Sequence, residues 1–263
     1  MVRSNNPFLK YLLPLVSLAT YLFLYLPIVI LVLFSFNSSD IPFFWKGFSL
    51  QWYQSLWVST DIWNALGNSL IVAFSTVFLS LAIGLFFVFY GSASFLGRFF
   101  IMFYASLATP EIVIAVGLLS LFSFFSIPLG LPTLIAGHTL IGLGYVIPIL
   151  RSRYQELDKK YMEAAMDLGA TEGQTLRRVM IPLLFPSLLA AALLVFVLSL
   201  DDFIISFFCS GGSTQTLPIY IFVTIRSGAT PLINALSTLL LVVSSLLVLI
   251  FSSLNIKKTD LLQ

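Results

Sequence analysis

Residues 62–97 read IWNALGNSLIVAFSTVFLSLAIGLFFVFYGSASFLG and contain no charged side chain. An α-helix needs about 20 apolar residues to cross roughly 30 Å of hydrocarbon. This stretch is therefore long enough for one transmembrane helix, which we place at about 65–90. An uncharged run of this length is typical of a membrane protein and not of a soluble domain.

Charge-poor stretches of similar length recur on both sides of this one. The first apolar run is too long for a signal peptide and is not followed by a small-residue cleavage site. The sequence therefore predicts an all-α, polytopic membrane protein, with a single transmembrane domain over residues 1–263. The six predicted helices lie at about 11–36, 65–90, 99–125, 132–151, 181–207 and 232–254.

The composition excludes several classes of protein. Hydrophobic residues make up 59% of the chain and charged residues only 9%, whereas a soluble domain carries about 25% charged residues. A net charge of +2 gives no indication of nucleic-acid binding. The single cysteine, Cys209, excludes an intramolecular disulfide and a cysteine-based zinc site. The Walker-type phosphate loop is missing, so any ATP hydrolysis must be carried out by another chain.

Basic residues indicate the orientation, because lysine and arginine are enriched on the cytoplasmic side of membrane proteins. With a cytoplasmic N-terminus, the outer segments hold only Lys46 and Arg226. We therefore expect both termini in the cytoplasm. The eleven inner basic residues are Arg3, Lys10, Arg98, Arg151, Arg153, Lys159, Lys160, Arg177, Arg178, Lys257 and Lys258.

The tryptophans are confined to one region. Trp45, Trp52, Trp57 and Trp63 all lie in the first predicted outer loop. Tryptophan is enriched at membrane interfaces, where its ring sits at the level of the lipid headgroups. The pattern favours an aromatic belt in contact with lipid, and the alternative is a role in stacking on a substrate.

The longest inner segment reads RSRYQELDKKYMEAAMDLGATEGQTLRRVMI over residues 151–181. Asp158 can cap a short helix, and Gly169 suits the left-handed position that ends one. Thr171 and Gln174 have the spacing of a capping box, which starts a second helix. The loop 152–180 is therefore predicted to be an ordered helix–turn–helix. One helical face carries Tyr161, Ala164, Ala165 and Leu168.

The same loop resembles a known motif. Glu163-Ala164-Ala165, then Gly169, then Val179-Met180-Ile181-Pro182 is similar to the EAA motif of bacterial ABC-importer permeases. The family prefers isoleucine at position 179 and leucine at position 181, and both departures keep an apolar side chain. The resemblance implies a coupling helix that docks into a groove on a cytoplasmic ATPase. It assigns the coupling to Glu163, Ala164, Ala165 and Gly169. The alternative is an interfacial hairpin that only joins two spans.

Shorter matches extend the resemblance over nearly the whole chain. They are Gly67-Asn68-Ser69-Leu70, Thr109-Pro110-Glu111-Ile112-Val113, Ser199-Leu200-Asp201-Asp202-Phe203 and Leu217-Pro218-Ile219-Tyr220. These segments resemble the polyamine subgroup of the permeases, and within it the second membrane subunit of spermidine/putrescine transporters. The expected function is ATP-driven import of polyamines by alternating access across the bacterial cytoplasmic membrane.

The resemblance also implies partners. A complete transporter of this family pairs two permease subunits, here a heterodimer, with a dimer of ATPases and a periplasmic substrate-binding protein. ATP and Mg would be bound by the ATPases, and this chain would bind no cofactor and hold no catalytic residue. The alternatives are a permease for another small solute and a secondary transporter coupled to ions. Intramembrane proteases are disfavoured, because their nucleophile, di-aspartate and zinc motifs do not occur.

Three acids lie inside the predicted spans, at Glu111, Asp201 and Asp202. A charge at the centre of a membrane helix costs about 2.5–3.5 kcal/mol on insertion scales, and such residues usually face an aqueous path or a bundle interior. We expect these acids to line the pathway of a cationic substrate. On a continuous helix Asp202 shares its side with Ser199 and Ser206, which favours Asp202 over Asp201. The alternative is that the acids bond to neighbouring helices for packing.

His138 lies among Gly137, Gly142 and Gly144 in the fourth predicted span. Small residues allow helices to approach each other closely in membranes. This setting favours a neutral histidine that is hydrogen-bonded across a helix interface. The alternative is a ligand or a proton relay.

Overall fold

A computed structural model describes residues 7–41, 44–91, 100–158, 160–212, 214–228 and 231–259. Arg3, Arg98 and Lys159, and the first residue of the predicted third span, lie outside these ranges. The described part of the chain is helical and contains no strand, as predicted. Its helices are α1 Pro7–Phe34, α2 Gln51–Val58, α3 Thr60–Tyr90, α4 Phe100–Ala108, α5 Glu111–Phe124, α6 Leu131–Glu156, α7 Lys160–Asp167, α8 Glu172–Thr175, α9 Ile181–Asp201, α10 Ile204–Cys209, α11 Leu217–Ser227 and α12 Pro231–Thr259.

Four helical segments in the described residues are long and apolar enough to cross a membrane. Each of them overlaps one predicted span, namely the first, second, fourth or fifth. Apolar helices of intermediate length overlap the third and sixth spans. The four long segments are Leu12–Phe34, Thr60–Tyr90, Leu131–Glu156 and Glu172–Asp201.

The predicted third span is divided into two helices. α4 ends at Ala108 and α5 begins at Glu111. Between them Pro110 adopts an extended backbone conformation, with φ −56° and ψ 132°. Proline has no N–H to continue a helical ladder, and its ring clashes with the preceding turn. The structure thus differs from the single helix predicted over 99–125.

The predicted fifth span is also interrupted. α9 ends at Asp201, and Asp202 takes an extended conformation with φ −70° and ψ 117°. The chain then turns into the short helix α10. The single helix predicted over 181–207 is therefore two helices, and the turn between them changes where Asp201 and Asp202 point.

The chain forms two compact units, Met1–Thr60 with Ile221–Gln263 and Asp61–Tyr220. In the larger unit, α6 packs against α4, α9 and α10. A buried cluster joins Val146 and Leu150 of α6 to Leu184 of α9 and Val88 of α3. A second cluster includes Ala115, Leu134, Ile205 and Cys209, from α5, α6 and α10.

Glycines let α6 approach its neighbours closely. A Cβ atom built on each of three of them would lie 2.5–2.7 Å from a side-chain atom of another helix, well inside van der Waals contact. The predicted role of these small residues as helix-packing positions is confirmed. The pairs are Gly137 with Ile205, Gly142 with Ser80 and Gly144 with Ser106.

In the smaller unit, α12 packs against α1 and α2. The loop before α2 is organised by Asn37, which is fully buried. Its Oδ1 accepts a hydrogen bond from the backbone N–H of Lys46 at 2.9 Å, and its Nδ2 donates to the carbonyl of Phe44 at 2.7 Å. The indole of Trp52 donates to the Asn37 carbonyl at 2.8 Å. Trp52 therefore contributes to the structure of the loop, while Trp57 is 76% exposed.

Candidate functional site

The two helix breaks border the same cavity, which has a volume of about 540 Å³ and lies within the larger unit. All three acids predicted from the sequence line it: Glu111, Asp201 and Asp202. Residues on α4, α6 and α9 complete the wall. The interruption of two helices has thus brought together side chains that lie about ninety residues apart in the sequence.

Glu111 is the first residue of α5 and is half-buried. A carboxylate in the first turn of a helix is stabilised by the unpaired backbone N–H groups and the positive end of the helix dipole. Pro110, directly before it, keeps α4 from continuing into α5. The break therefore gives Glu111 a favourable place at the cavity wall.

Asp202 is the more buried of the two adjacent aspartates. Its carboxyl group is 9% exposed, and its Oδ1 accepts a hydrogen bond from the backbone N–H of Ile205 at 3.2 Å, which caps α10. Asp201, the last residue of α9, is exposed. A continuous helix would direct Asp202 rather than Asp201 toward the polar side, but the break lets both residues reach the cavity.

His138 is buried where α6 meets α9 and α10, with 4% of its surface exposed. Its Nδ1 lies 2.9 Å from the hydroxyl of Ser199 on α9. Its Nε2 lies 3.2 Å from the hydroxyl of Ser206 on α10 and 3.2 Å from Oδ2 of Asp202. The predicted hydrogen bond across a helix interface is present, and it joins α6 to two helices.

The polar lining of the cavity is rich in hydrogen-bond acceptors. Besides the three acids it includes the hydroxyl groups of Ser106, Thr109 and Tyr145. No lysine or arginine occurs among the described residues that line it. Carboxylates that are partly removed from water and lack a lysine or arginine partner are costly, so a positively charged solute with N–H donors would offset their desolvation.

Two of the short sequence motifs meet at another point in the larger unit. Asn68 Nδ2 donates to the carbonyl of Gln215 at 3.0 Å, and the Ser69 hydroxyl accepts from the N–H of Leu217 at 2.8 Å. The N–H of Leu217 belongs to the first turn of α11, where intrahelical partners are missing. Nothing in the sequence spacing of the two motifs indicated this contact.

The loop between α6 and α9 has the predicted local structure. Asp158 Oδ1 accepts from the N–H of Lys160 at 3.0 Å, at the start of α7. Gly169 has φ +86°, and the N–H of Ala170 donates to the carbonyl of Ala165 at 3.0 Å. A left-handed glycine with this hydrogen bond is the Schellman termination of a helix.

The second helix of the loop also starts as predicted. The N–H of Thr171 donates to the side chain of Gln174 at 3.1 Å, and the Thr171 hydroxyl accepts from the N–H of Gln174 at 3.4 Å. A π-helical turn over Leu176–Met180 then leads into α9. π-Helical turns are rare overall, and those that occur are often at functional sites. No pattern in the sequence predicted this one.

The four residues assigned to coupling lie at the surface of the loop. Glu163, Ala164 and Gly169 are exposed, and Ala165 is half-buried. No residue of α7 is buried. The apolar side chains beside them are also exposed, with Tyr161 at 53%, Met166 at 41% and Leu168 at 90%.

Comparison with known proteins identifies the family. Residues 80–256 match the family of binding-protein-dependent transport system inner membrane components. The chain belongs to this family. As a transport component it is not itself an enzyme, as the sequence predicted.

Among curated proteins, this inner membrane component is similar to the spermidine/putrescine transport system permease protein PotC of Haemophilus influenzae. The two are 38% identical over 247 residues, which cover 91% of this chain and 94% of the relative. It is also 38% identical to PotC of Escherichia coli K12, over 88% of this chain and 89% of the relative. The putrescine transport system permease protein PotI of that strain is 35% identical, over 86% of this chain and 84% of its own length.

Among solved structures, the inner membrane component resembles a chain of a bacterial ABC transporter involved in the import of the acidic polysaccharide alginate. The TM-score is 0.73 at 14% identity, and the match covers 96% of this chain and 99% of the other. Likeness at this identity concerns the fold alone. The predicted fold of an ABC-importer permease is confirmed.

Proposed function

We propose that this chain is a permease subunit of an ATP-driven ABC importer, and that it moves polyamines such as spermidine or putrescine into the cell. The observation that carries the proposal is the cavity lined by Glu111, Asp201 and Asp202, without a lysine or arginine among its described lining residues. The names of the relatives support the same substrate class.

The chemistry of the cavity suits a flexible polycation. A charged solute that leaves water for an apolar interior loses its hydration, which costs far more than for a neutral solute. Carboxylates along the path replace part of that hydration. A few acids placed on different helices do this without forming one tight binding site, so the solute can still leave. A volume of about 540 Å³ has room for a small linear amine.

The proposal is tested by uptake of radiolabelled spermidine or putrescine into cells that express the complete transporter. Glu111→Gln and Asp202→Asn each remove a carboxylate charge and should lower the uptake rate. Glu111→Asp keeps the charge and should be milder. Asp61→Asn removes an exposed acid that does not line the cavity, so it should leave uptake unchanged.

Two outcomes would contradict the proposal. Wild-type rates for both Glu111→Gln and Asp202→Asn, at matched expression, would make these acids packing elements. Uptake of another solute but not of polyamines would indicate a permease of different specificity. Polyamine binding by the separate receptor serves as a control, and it should be the same for all variants because that site lies on another chain.

We further infer that α7 is the coupling helix. It is a short, capped element with an apolar face open to a partner, and Leu168, directly after its last residue, is 90% exposed. The small side chains of Ala164 and Ala165 permit close approach, and Glu163 can pair with a basic group. The partner would be a cytoplasmic ABC ATPase dimer that binds ATP and Mg. An ion-coupled secondary transporter would not need such a helix.

The remaining partners follow from the exposed apolar surface. None of the described side chains in the apolar part of α1 is buried; Phe23, for example, is 79% exposed. Such a surface requires a lipid bilayer or another protein. We propose that lipid and a second, different permease subunit cover the six spans of this single transmembrane domain. A periplasmic binding protein would deliver the substrate at the outer face.

The orientation in the bacterial inner membrane rests on the basic residues. Eleven lysines and arginines lie in the proposed inner segments and two in the outer ones. We propose from this excess that both termini and the coupling loop 152–180 lie in the cytoplasm. The coupling helix then faces the compartment that contains ATP.

A further inference from the structure

His138 joins both halves of the interrupted fifth span. Its Nδ1 contacts Ser199, two residues before α9 ends at Asp201, and its Nε2 contacts Ser206 in the first turn of α10. The same Nε2 faces the carboxyl group of Asp202, which lies in the break. One side chain on α6 thus contacts the last turn of one helix, the break itself and the helix that follows.

The hydrogen-bonding chemistry of the imidazole determines its tautomer. An ionised carboxylate can only accept hydrogen bonds, and a neutral imidazole has one N–H donor and one acceptor nitrogen. When Asp202 is ionised, the proton is therefore on Nε2, which lies 3.2 Å from Asp202 Oδ2. Nδ1 is then the acceptor, and it receives the hydroxyl hydrogen of Ser199. The Ser206 hydroxyl also lies within hydrogen-bond distance of Nε2, so both nitrogens of the imidazole have polar partners.

The break needs such support. α10 is only six residues long. Isolated helices of that length are unstable in water and depend on tertiary contacts. Asp202 already caps α10 with its Oδ1. The contact between its Oδ2 and His138 leaves this carboxylate few other orientations, although it borders the cavity.

We propose that His138 is a positioning residue, which holds the two halves of the interrupted span together and directs the Asp202 carboxylate toward the cavity. This role rests on the proposed function, in which Asp202 lines the substrate path. His138 acts through Asp202, and the substrate need not touch the imidazole. A change in the donor geometry of His138 should therefore alter the contribution of Asp202 to polyamine uptake.

Three substitutions separate positioning from packing. The amide nitrogen of His138→Gln reaches the place of Nε2, whereas that of His138→Asn reaches only the place of Nδ1, and His138→Leu has no donor. We expect polyamine uptake by the complete transporter to fall about tenfold in the leucine and asparagine variants. The glutamine variant should stay within about threefold of wild type. These factors lie within the range measured for directly coupled residues.

A double-mutant cycle with Asp202 gives the sharper readout. If His138 acts through Asp202, His138→Leu should change uptake by less than about twofold once Asp202→Asn is present. All rates are compared at equal amounts of assembled transporter. An equal loss in both backgrounds, or a glutamine variant as defective as the leucine variant, would show a packing role and overturn the proposal.

Nitrogen NMR provides a test that needs no substrate. His138 is the only histidine of this chain, so the spectrum of the ¹⁵N-histidine-labelled transporter minus that of the His138→Gln transporter isolates its ring. We expect the proton on Nε2, and a shift of that resonance in Asp202→Asn but not in Asp61→Asn. A proton on Nδ1, or a resonance unaffected by Asp202→Asn, would contradict the positioning role. If the wild-type transporter imports no polyamine, the proposed function fails, and this spectrum still decides the role of His138.

Discussion

Leu168 offers the most direct test of the coupling surface. Its side chain is 90% exposed, so Leu168→Ala removes almost no contact within this chain and should not change its stability. If α7 docks onto an ATPase, most of that side chain becomes buried in the complex. Burial of apolar groups contributes about 0.8 kcal/mol per CH₂, so the substitution should cost about 2 kcal/mol of binding free energy. At about 1.4 kcal/mol per factor of ten, the dissociation constant should rise roughly 30-fold.

The assay is a titration of the purified ATPase against the permease subunits in lipid nanodiscs. Leu246→Ala makes the same change at a side chain of α12 that is 53% exposed and serves as the matched control. Its dissociation constant should equal that of the wild type. A Leu168→Ala variant that binds the ATPase as tightly as wild type would refute the assignment of α7 as the docking helix.

Further predictions concern coupling, topology and packing. Glu163→Lys should abolish transport while the protein still inserts in the membrane, and normal uptake at normal expression would contradict the coupling role. In a cysteine-free background, a cysteine at Thr171 should resist an impermeant thiol reagent in intact cells, while one at Ser49 should react; external labelling of position 171 would reverse the orientation. Gly137→Ala places a methyl group 2.7 Å from a side-chain atom and should destabilise the fold by about 1–3 kcal/mol. Gly117→Ala has open space around it and should stabilise α5 by up to about 1 kcal/mol, so thermal unfolding of the two variants should shift in opposite directions.

Local features of the structure were predictable because their causes are local. The length of an apolar run determines whether a helix can span a bilayer, which is why α3 was located from residues 62–97 alone. The caps at Asp158, Gly169 and Thr171 depend on side chains within a few residues of the backbone groups that they bond. For features of this kind, the residues that interact in the structure are also close together in the sequence.

The acids of the cavity were predictable for a different reason. A carboxylate inside a membrane span is costly unless it serves a path or a partner, so Glu111, Asp201 and Asp202 were candidates before any geometry was known. Pro110, in the third span, has no backbone N–H to donate within a helix. Whether a proline bends a helix or ends it depends on the helices around it, and the structure shows that the helix ends.

The sequence by itself determined the membrane class, the helical content, the caps of the loop between α6 and α9, and the three acids, since each depends on the composition or spacing of nearby residues. Only the tertiary structure decided the break at Asp202, the cavity shared by two broken helices and the contacts of His138 with Ser199 and Ser206. The contacts of His138 and the shared cavity join residues about sixty to ninety positions apart. These features are stabilised by packing between helices. The periodicity of one helix does not indicate which distant side chain will pack against that helix.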